Sequence, residues 1–248
     1  MNFNILRFDT LDSTNTEAAN QARQGADEGV CIVAREQTAG RGRHGRQWVS
    51  GKDAGLYFSV VLRPVIDMRY LPLITLMTGV AVYDTLKEFG LNPDIKWVND
   101  VLIGEKKICG ILAETVDTSL GLAVIVGIGI NLTNGNFPAE IADSATWIKT
   151  ALSVPGAVAT GELEFALTKY ISYWYAMLGR EDGPADIINE WRRRSSYFSG
   201  KNVRVTLANK TFEGTTDGIE ETGALRVIRS DGSVTIVQAG DVERLRSY

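Results

Sequence analysis

The chain has 248 residues, of which 44% are hydrophobic and 23% are charged, and its formal net charge is -4. This composition is typical of a globular protein long enough for one large and one small domain, without an apolar run that could span a bilayer. A sequence pI of about 5.2 argues against a general nucleic-acid binder, and Met1–Thr10 has neither the basic nor the apolar region of a signal peptide.

The chain has two cysteines, Cys31 and Cys109, each in an apolar, strand-like context and outside any paired cysteine motif. We expect two buried, reduced thiols in a cytoplasmic protein. A catalytic thiol is the alternative, but the one histidine, His44, lies in a glycine- and arginine-rich loop and is a poor orienting partner. One histidine and two cysteines also argue against a structural zinc site, and no metal-ligating residues are predicted.

The first half of the chain alternates between helix and strand patterns. Thr14 followed by Glu17 is a helix-start signature, and Gly25 and Gly29 end that helix. Strands rich in β-branched and aromatic residues are predicted at 30–34 and 55–62. Apolar residues at helical spacing predict a long helix over 71–89, with Gly90 as its C-cap.

Short strand patterns then follow in quick succession, at 95–98, 100–103, 107–114 and 122–130. The intervals between them are too short for crossover helices, so these strands should pair largely antiparallel. The sequence therefore predicts an α+β fold, with a mixed, largely antiparallel sheet and helices on one face.

In the last third of the chain, a helical pattern gives way to a strand pattern at Gly200. Helices are predicted before it, at 161–179 and 184–194. Short strands separated by turns are predicted after it, at 203–207, 211–214, 225–228 and 234–237. They predict a small SH3-like β-barrel, and we expect a catalytic domain over 1–198 and a barrel domain over 199–248.

The most unusual segment is Gly40–Arg46, in which glycine alternates with basic residues in an acidic chain. Glycine lets the backbone approach a ligand closely. Arginine presents a planar fork of donors that fits carboxylates and phosphates. The segment therefore predicts a loop that closes over an anion, with a solvated basic turn as the alternative.

Four further segments carry polar residues or glycines in apolar surroundings: Ser13 to Asn15, Lys96 to Asp100, Lys107 with Gly110, and Gly127 to Asn131. Together with Gln37 to Trp48, their order and spacing resemble the biotin protein ligases, which share a fold with the lipoate ligases. The resemblance runs from Phe8 to Leu245 and implies a class II synthetase-like fold with a small C-terminal barrel. It implies that biotin and ATP react to biotinyl-5'-adenylate, which then acylates a lysine of an acceptor protein.

The resemblance implies one set of residues that binds biotin: Ser13, Thr14, Asn15, Gln37, Gly40, Arg41, Lys107, Gly110 and Gly129. Short polar side chains can pair with the ureido group of biotin, and an unpaired polar ring in such a pocket costs on the order of 1–3 kcal/mol. Two alternatives remain for members of this set. Ser13 and Thr14 can serve as a helix cap, and the glycines can mark strand bulges.

A second set is implied to bind the nucleotide: Arg43, Arg46, Trp48, Asn99 and Asn131. The implied catalytic residues are Arg41, Lys107 and Asp100. The cations would neutralise a carboxylate and a polyphosphate, and Asp100 would receive the incoming lysine. Magnesium is expected to bridge the phosphates. Two alternatives are a core position for Trp48 and an exposed hairpin position for Lys107.

The sequence departs from the family at two points. Val98 replaces the proline of the usual Lys-Trp-Pro-Asn-Asp motif. The Asp12-Ser13-Thr14 segment also begins almost at the first residue, so we expect a ligase without the DNA-binding domain that some members carry. The expected partners are an apo biotin carboxyl carrier protein, biotin and ATP, with no DNA and no membrane. A homodimer through sheet edges is open, because the sequence does not decide it. The alternatives are a lipoate or octanoate ligase or transferase on the same fold, and a non-catalytic biotin or nucleotide sensor.

Overall fold

The computed structural model describes residues 1–135, 137–152, 158–207, 210–238 and 240–244. Its larger sheet consists of β1 (Asn4–Leu11), β2 (Val30–Gln37), β3 (Gly55–Leu62), β4 (Pro93–Lys96), β5 (Asp100–Ile103), β6 (Lys106–Thr118) and β7 (Gly121–Asn131). The spatial order is β1-β2-β3-β7-β6-β5-β4. Strands β1 and β2 are parallel, and the other neighbours are antiparallel. The predicted mixed, largely antiparallel sheet is confirmed.

The helices are α1 (Thr14–Arg23), α2 (Leu73–Glu88), α3 (Ala139–Ala142), α4 (Ile148–Ala151), α5 (Thr160–Leu178) and α6 (Gly183–Arg194). On one face of the sheet, α2, α5 and α6 form a continuous core that includes Phe58 and Trp191. On the other face, α1 buries Ala18 and Ala22 against a separate cluster that includes Ile125. The α+β class is as predicted, but the helices do not all share one face.

Strand alternation explains why α1 lies apart. Neighbouring residues of a strand point to opposite faces, so Val60 packs towards α2 while Val61 packs towards α1. The α1 face has small residues along the helix, which allow it to lie close to the sheet. This arrangement brings the N-terminus of α1 beside β7.

The C-terminal sheet consists of β8 (Ser199–Leu207), β9 (Lys210–Ile219), β10 (Leu225–Arg229), β11 (Val234–Val237) and β12 (Asp241–Arg244). Its order is β11-β10-β9-β8-β12, so β11 and β12 lie at opposite edges. Within the described residues this sheet is open, whereas a closed barrel was predicted. A hydrogen bond connects the C-terminal sheet to the larger sheet: Trp97 Nε1, in the turn after β4, donates to Gly223 O at 2.9 Å. The boundary at 198/199 stays a prediction.

Both cysteines are buried and unpaired, as predicted. Burial raises the pKa of the Cys31 thiol to about 12 and also raises the pKa of the Cys109 thiol well above its usual value. A nucleophilic thiolate is therefore disfavoured at either position. Among the described helices, none combines the length and the apolar character needed to cross a membrane.

Candidate functional site

A cavity of about 310 Å³ lies on the α1 face of the larger sheet. Its lining includes all but one of the residues predicted for the site: Ser13, Thr14, Asn15, Gln37, Arg41, Arg43, Arg46, Trp48, Asn99, Asp100, Lys107, Gly110, Gly129 and Asn131. The exception, Gly40, lies just behind the wall, where a Cβ would come within 2.4 Å of Trp48 O. Five segments that are distant in sequence thus meet at one cavity.

Two glycines form the floor of the cavity beneath an aromatic ring. Gly110 of β6 pairs directly with Gly129 of β7, and the register of these strands is continuous through the pair, so neither glycine marks a bulge between them. A Cβ on Gly110 would lie 2.9 Å from Trp48 Cζ3, and one on Gly129 would lie 2.4 Å from Trp48 Nε1. Trp48 therefore lies in the cavity and not in a helix-packed core.

The polar wall begins at the N-terminus of α1. Thr14 N donates to Gln37 Oε1 at 2.8 Å, and the Thr14 hydroxyl lies 3.1 Å from the same oxygen. Ser13 occupies the N-cap without a side-chain cap bond, and the Glu17 side chain bonds to Gln21. The polar atoms of Thr14 are thus committed to the cavity wall, and the predicted cap pairing of Thr14 with Glu17 does not form.

Asn15 connects this wall to the glycine–arginine loop. Its Nδ2 donates to Glu114 Oε2 at 2.8 Å, and Glu114 Oε1 accepts from Arg41 Nη2 at 2.6 Å. Glu114 is not among the residues predicted for the site. Its position in β6, two and four residues beyond Leu112 and Gly110 on the same strand face, is a signal that could have identified it.

Lysines gather around one carboxylate at the opposite end of the cavity. Lys107 Nζ lies 2.6 Å from Asp100 Oδ1, and Lys96 Nζ lies 3.9 Å from Asp100 Oδ2. Lys107 Nζ is also 5.3 Å from the centre of the Trp48 ring. Lys107 therefore faces the cavity, whereas its neighbour Lys106 is the exposed hairpin lysine.

The other loop arginines contact the C-terminal sheet. Arg43 Nη1 donates to Asn99 Oδ1 at 3.2 Å and to Gly240 O at 3.3 Å. Arg46 forms an ion pair with Asp241. Burial lowers the pKa of Arg43, an effect partly opposed by the nearby Asp241. No local motif in the sequence marked Asp241, because its contact with the loop is created by the fold.

Two predicted asparagines hold backbone at the edge of the cavity. Asn131 Nδ2 donates to Thr146 O at 3.0 Å, and Asn99 Nδ2 donates to Ile111 O at 2.9 Å. The turn that contains Asn99 has a cis Trp97–Val98 peptide bond. Because Lys96 of β4 pairs with Asp100 of β5, Val98 lies in the hairpin turn between these two strands. The predicted nucleotide contacts of both asparagines stay predictions.

The cavity combines a neutral, hydrogen-bonding wall with a cluster of cations. The wall is formed by Thr14 and Gln37. The cations that line the same cavity are Arg41, Arg43, Arg46 and Lys107. Such a site suits a ligand with a neutral polar head and a carboxylate, held next to a phosphate-bearing co-substrate. The fold and site together define the class of acyl-activating ligases.

Family models and relatives narrow this class. The biotin/lipoate A/B protein ligase family model matches residues 7–131, and the biotin protein ligase C-terminal domain model matches residues 198–245. The bifunctional ligase/repressor BirA of Bacillus subtilis is 35% identical over 98% of this chain and 74% of its own length. The biotin–[acetyl-CoA-carboxylase] ligase of Paracoccus denitrificans is 34% identical over 93% of this chain and 96% of its own length. The chain belongs to the biotin protein ligase family.

A solved structure agrees with this assignment. The biotin protein ligase from Aquifex aeolicus, in complex with biotin and ATP, has a TM-score of 0.84 at 28% identity. The match covers 98% of this chain and 99% of the other. The shared architecture therefore includes the C-terminal sheet.

Proposed function

We propose that this protein is an ATP-dependent biotin–protein ligase that makes biotinyl-5'-AMP and transfers biotin to a lysine of a carrier domain. One observation carries the proposal. The hydrogen-bonding wall of Thr14 and Gln37 and the cations Arg41 and Lys107 line the same cavity. The chain's family membership and the biotin and ATP bound by its structural relative support the same activity.

In the first step, a biotin carboxylate oxygen attacks the α-phosphorus of ATP and pyrophosphate leaves. Two anions must approach each other, so positioned cations stabilise the transition state, by a few kcal/mol for each well-placed donor. Arg41 and Lys107 are held by Glu114 and Asp100 in this structure. We infer that the substrates replace these carboxylates as partners of the two cations.

In the second step, the acceptor amine attacks the acyl carbon, the C–O bond to AMP breaks and an amide forms. The attacking lysine must lose a proton. Asp100 lies within 4 Å of two ammonium groups, those of Lys96 and Lys107. Once the substrates have replaced Asp100 as the partner of Lys107, this carboxylate oxygen can accept from the ammonium of the acceptor lysine before that lysine loses its proton.

Magnesium would enter with ATP as part of the substrate. In the described residues, no group of three or more His, Cys, Asp or Glu side chains is arranged to hold a metal ion. Magnesium bound by phosphates needs few protein ligands. The chain's own contribution would be the cationic side chains around the phosphates.

The carrier protein, the oligomeric state and the compartment remain proposals. A biotin carboxyl carrier domain is the acceptor that the reaction requires. Strands β1 and β4 are the sheet edges through which a homodimer could form. The two buried thiols support a reducing, cytoplasmic compartment.

The test uses the purified protein with ATP, magnesium and an apo biotin-acceptor domain, with biotin or lipoate added in parallel. Intact mass spectrometry of the acceptor should show the biotinyl increment with biotin alone. An increment with lipoate would instead identify a lipoate ligase. No increment despite tight biotin binding would identify a sensor and contradict the proposed function.

A further inference from the structure

A chain of four oxygen atoms lies behind the polar wall of the cavity. Ser59 Oγ lies 2.7 Å from Asn15 Oδ1 and 2.8 Å from Thr14 Oγ1. Thr14 Oγ1 lies 3.1 Å from Gln37 Oε1. We call these four atoms the oxygen chain. Its centre is Ser59 of β3, which is 0% exposed.

The first end of the oxygen chain is an amide oxygen whose orientation is fixed. Asn15 Nδ2 donates to Leu112 O at 3.2 Å and to Glu114 Oε2 at 2.8 Å, and both partners are acceptors. Exchanging the amide nitrogen and oxygen would set three oxygens against one another. Asn15 Oδ1 therefore faces Ser59 and can only accept.

The other end is fixed in the same way. Gln37 Oε1 accepts from Thr14 N at 2.8 Å, while Gln37 Nε2 lies 2.7 Å from Ser50 Oγ. Exchanging this amide would set its N–H groups against the Thr14 N–H. Gln37 Oε1 is therefore also an acceptor with no proton to give.

The oxygen chain is one proton short. Its three contacts join two acceptor-only ends through two hydroxyls, and each hydroxyl carries one proton. Among the described residues, the one other donor bonded to these four oxygens is Thr14 N. We assign the missing proton to the longest contact, between Thr14 Oγ1 and Gln37 Oε1, because hydroxyl hydrogen bonds are usually about 2.7–2.8 Å long. Ser59 then donates to Asn15, and Thr14 donates to Ser59. In the alternative arrangement, Thr14 donates to Gln37.

Two facing acceptors then lie at the cavity wall. Thr14 and Gln37 both line the cavity, and each presents lone pairs that no proton of the oxygen chain satisfies. Gln37 Oε1 already accepts from Thr14 N, and Thr14 Oγ1 is held by Ser59, so each oxygen keeps one free lone pair beside the other. A ligand N–H placed between these two oxygens can pair with both lone pairs.

We propose that Ser59 is a positioning residue that determines substrate specificity. By drawing the Thr14 proton inwards, it leaves Thr14 Oγ1 and Gln37 Oε1 as a joint acceptor for one N–H of a cyclic urea. The inference rests on the proposed function, because biotin supplies that N–H. A dithiolane acid such as lipoate offers no N–H to the joint acceptor and is therefore bound less well.

The first test needs only the unaltered protein. Calorimetry compares biotin with its two cyclic-carbamate analogues, in which oxygen replaces one or the other ureido N–H without a change in ring size. At least one analogue should bind about tenfold to a hundredfold more weakly, because a lone pair now faces the joint acceptor. Equal binding of biotin and both analogues would overturn the proposal.

The second test asks whether Ser59 sets this preference through Thr14. In Ser59→Ala, the Thr14 proton turns to Gln37, so the ratio of analogue to biotin dissociation constants should fall about tenfold. Ser59→Cys, with a weak S–H donor, should give an intermediate ratio. Thr78→Val removes another buried hydroxyl, one that donates to Ile74 O in α2, and should leave the ratio unchanged.

A double-mutant cycle separates positioning from general damage. In a Thr14→Val background, Ser59→Ala should no longer change the ratio, because the oxygen that Ser59 positions is gone. An equal change in both backgrounds would show that Ser59 does not act through Thr14. If both Ser59 variants unfold, Ser59→Gly removes the hydroxyl without placing an apolar or larger group beside Thr14 and should lower the same ratio; an unchanged ratio in that variant would contradict the role of Ser59.

The outcomes distinguish this inference from the proposed function. A protein that neither binds biotin nor biotinylates an acceptor contradicts both. A protein that biotinylates the acceptor, but whose Ser59→Ala and Ser59→Cys variants keep the original ratio, contradicts only the role of Ser59.

Discussion

Asp241, in the last described strand, forms an ion pair with Arg46 of the glycine–arginine loop, 195 residues away in sequence. Gly240 O accepts from Arg43 beside it. The C-terminal sheet therefore holds the loop at two adjacent points. This contact gives the sheet a function in shaping the cationic end of the cavity.

We predict that Asp241→Asn weakens ATP use and leaves biotin binding unchanged. The Arg46 side chain is more than half exposed, and such pairs contribute at most about 1 kcal/mol. That energy corresponds to a rise of about fivefold in the KM for ATP. Steady-state kinetics of pyrophosphate release will measure this rise.

The matched control is Glu213→Gln, which removes an exposed ion pair with Arg204 on the same sheet. This substitution should leave the KM for ATP and the KM for biotin unchanged. If Asp241→Asn leaves the KM for ATP unchanged or lowers it, Asp241 does not position the loop for the nucleotide.

A second prediction concerns Lys107, which faces the cavity beside Asp100. Lys107→Ala should slow adenylate formation by a factor on the order of 10²–10³, because it removes one positioned cation from the reacting anions. Single-turnover formation of biotinyl-AMP measures the step directly. Lys106→Ala changes the exposed neighbour and should keep the full rate; equal losses in the two variants would contradict the assignment.

The sequence predicted those parts of the fold that carry strong local patterns. Strand β3 occupies the predicted residues 55–62, because every one of them is buried and most are β-branched, aromatic or leucine. Strand β1 was missed, because it is a partly exposed edge strand interrupted by charged residues. One of these, Arg7, pairs with Glu164 of α5, a partner that only the fold brings near.

The candidate site shows the same division. Gln37 and Arg41 lie in a segment whose composition is unusual enough to be noticed. Ser59 is a single small polar residue inside an apolar strand, and Asp241 lies in an ordinary C-terminal segment. Their importance arises from distances to Thr14 and Arg46, and such distances leave no local trace in the sequence.

A third prediction follows from the buried thiols. With the pKa of Cys31 raised to about 12 by burial, only about one thiol in ten thousand is ionised at pH 8. The pKa of Cys109 is shifted in the same direction. The native protein should therefore not react with a disulfide reagent such as DTNB at pH 8 on the timescale of its biotinylation assay.

Two equivalents of thiol should appear when the same sample is unfolded in guanidinium, which serves as the internal control. Pre-incubation with the reagent should leave biotinylation unchanged. Rapid native labelling of either cysteine, with loss of activity, would restore the alternative of a functional thiol.

The last prediction tests the close contact between β7 and α1. A Cβ on Gly127 would lie 2.1 Å from Asn15 Oδ1, so Gly127→Ala must displace the amide that joins Ser59 to Glu114. We expect the free energy of unfolding to fall by about 1–3 kcal/mol and biotin affinity to fall at least about tenfold. Guanidinium titration and calorimetry measure the two effects separately.

Gly161→Ala is the matched control, because nothing lies within 4 Å of its Cβ position and it lies in the first turn of α5. That substitution should leave biotin binding unchanged and raise stability slightly, since alanine favours the helix. If Gly127→Ala loses stability but binds biotin normally, Asn15 supports the fold and not the ligand. Loss of both is the result expected if the wall of the cavity depends on this one close approach.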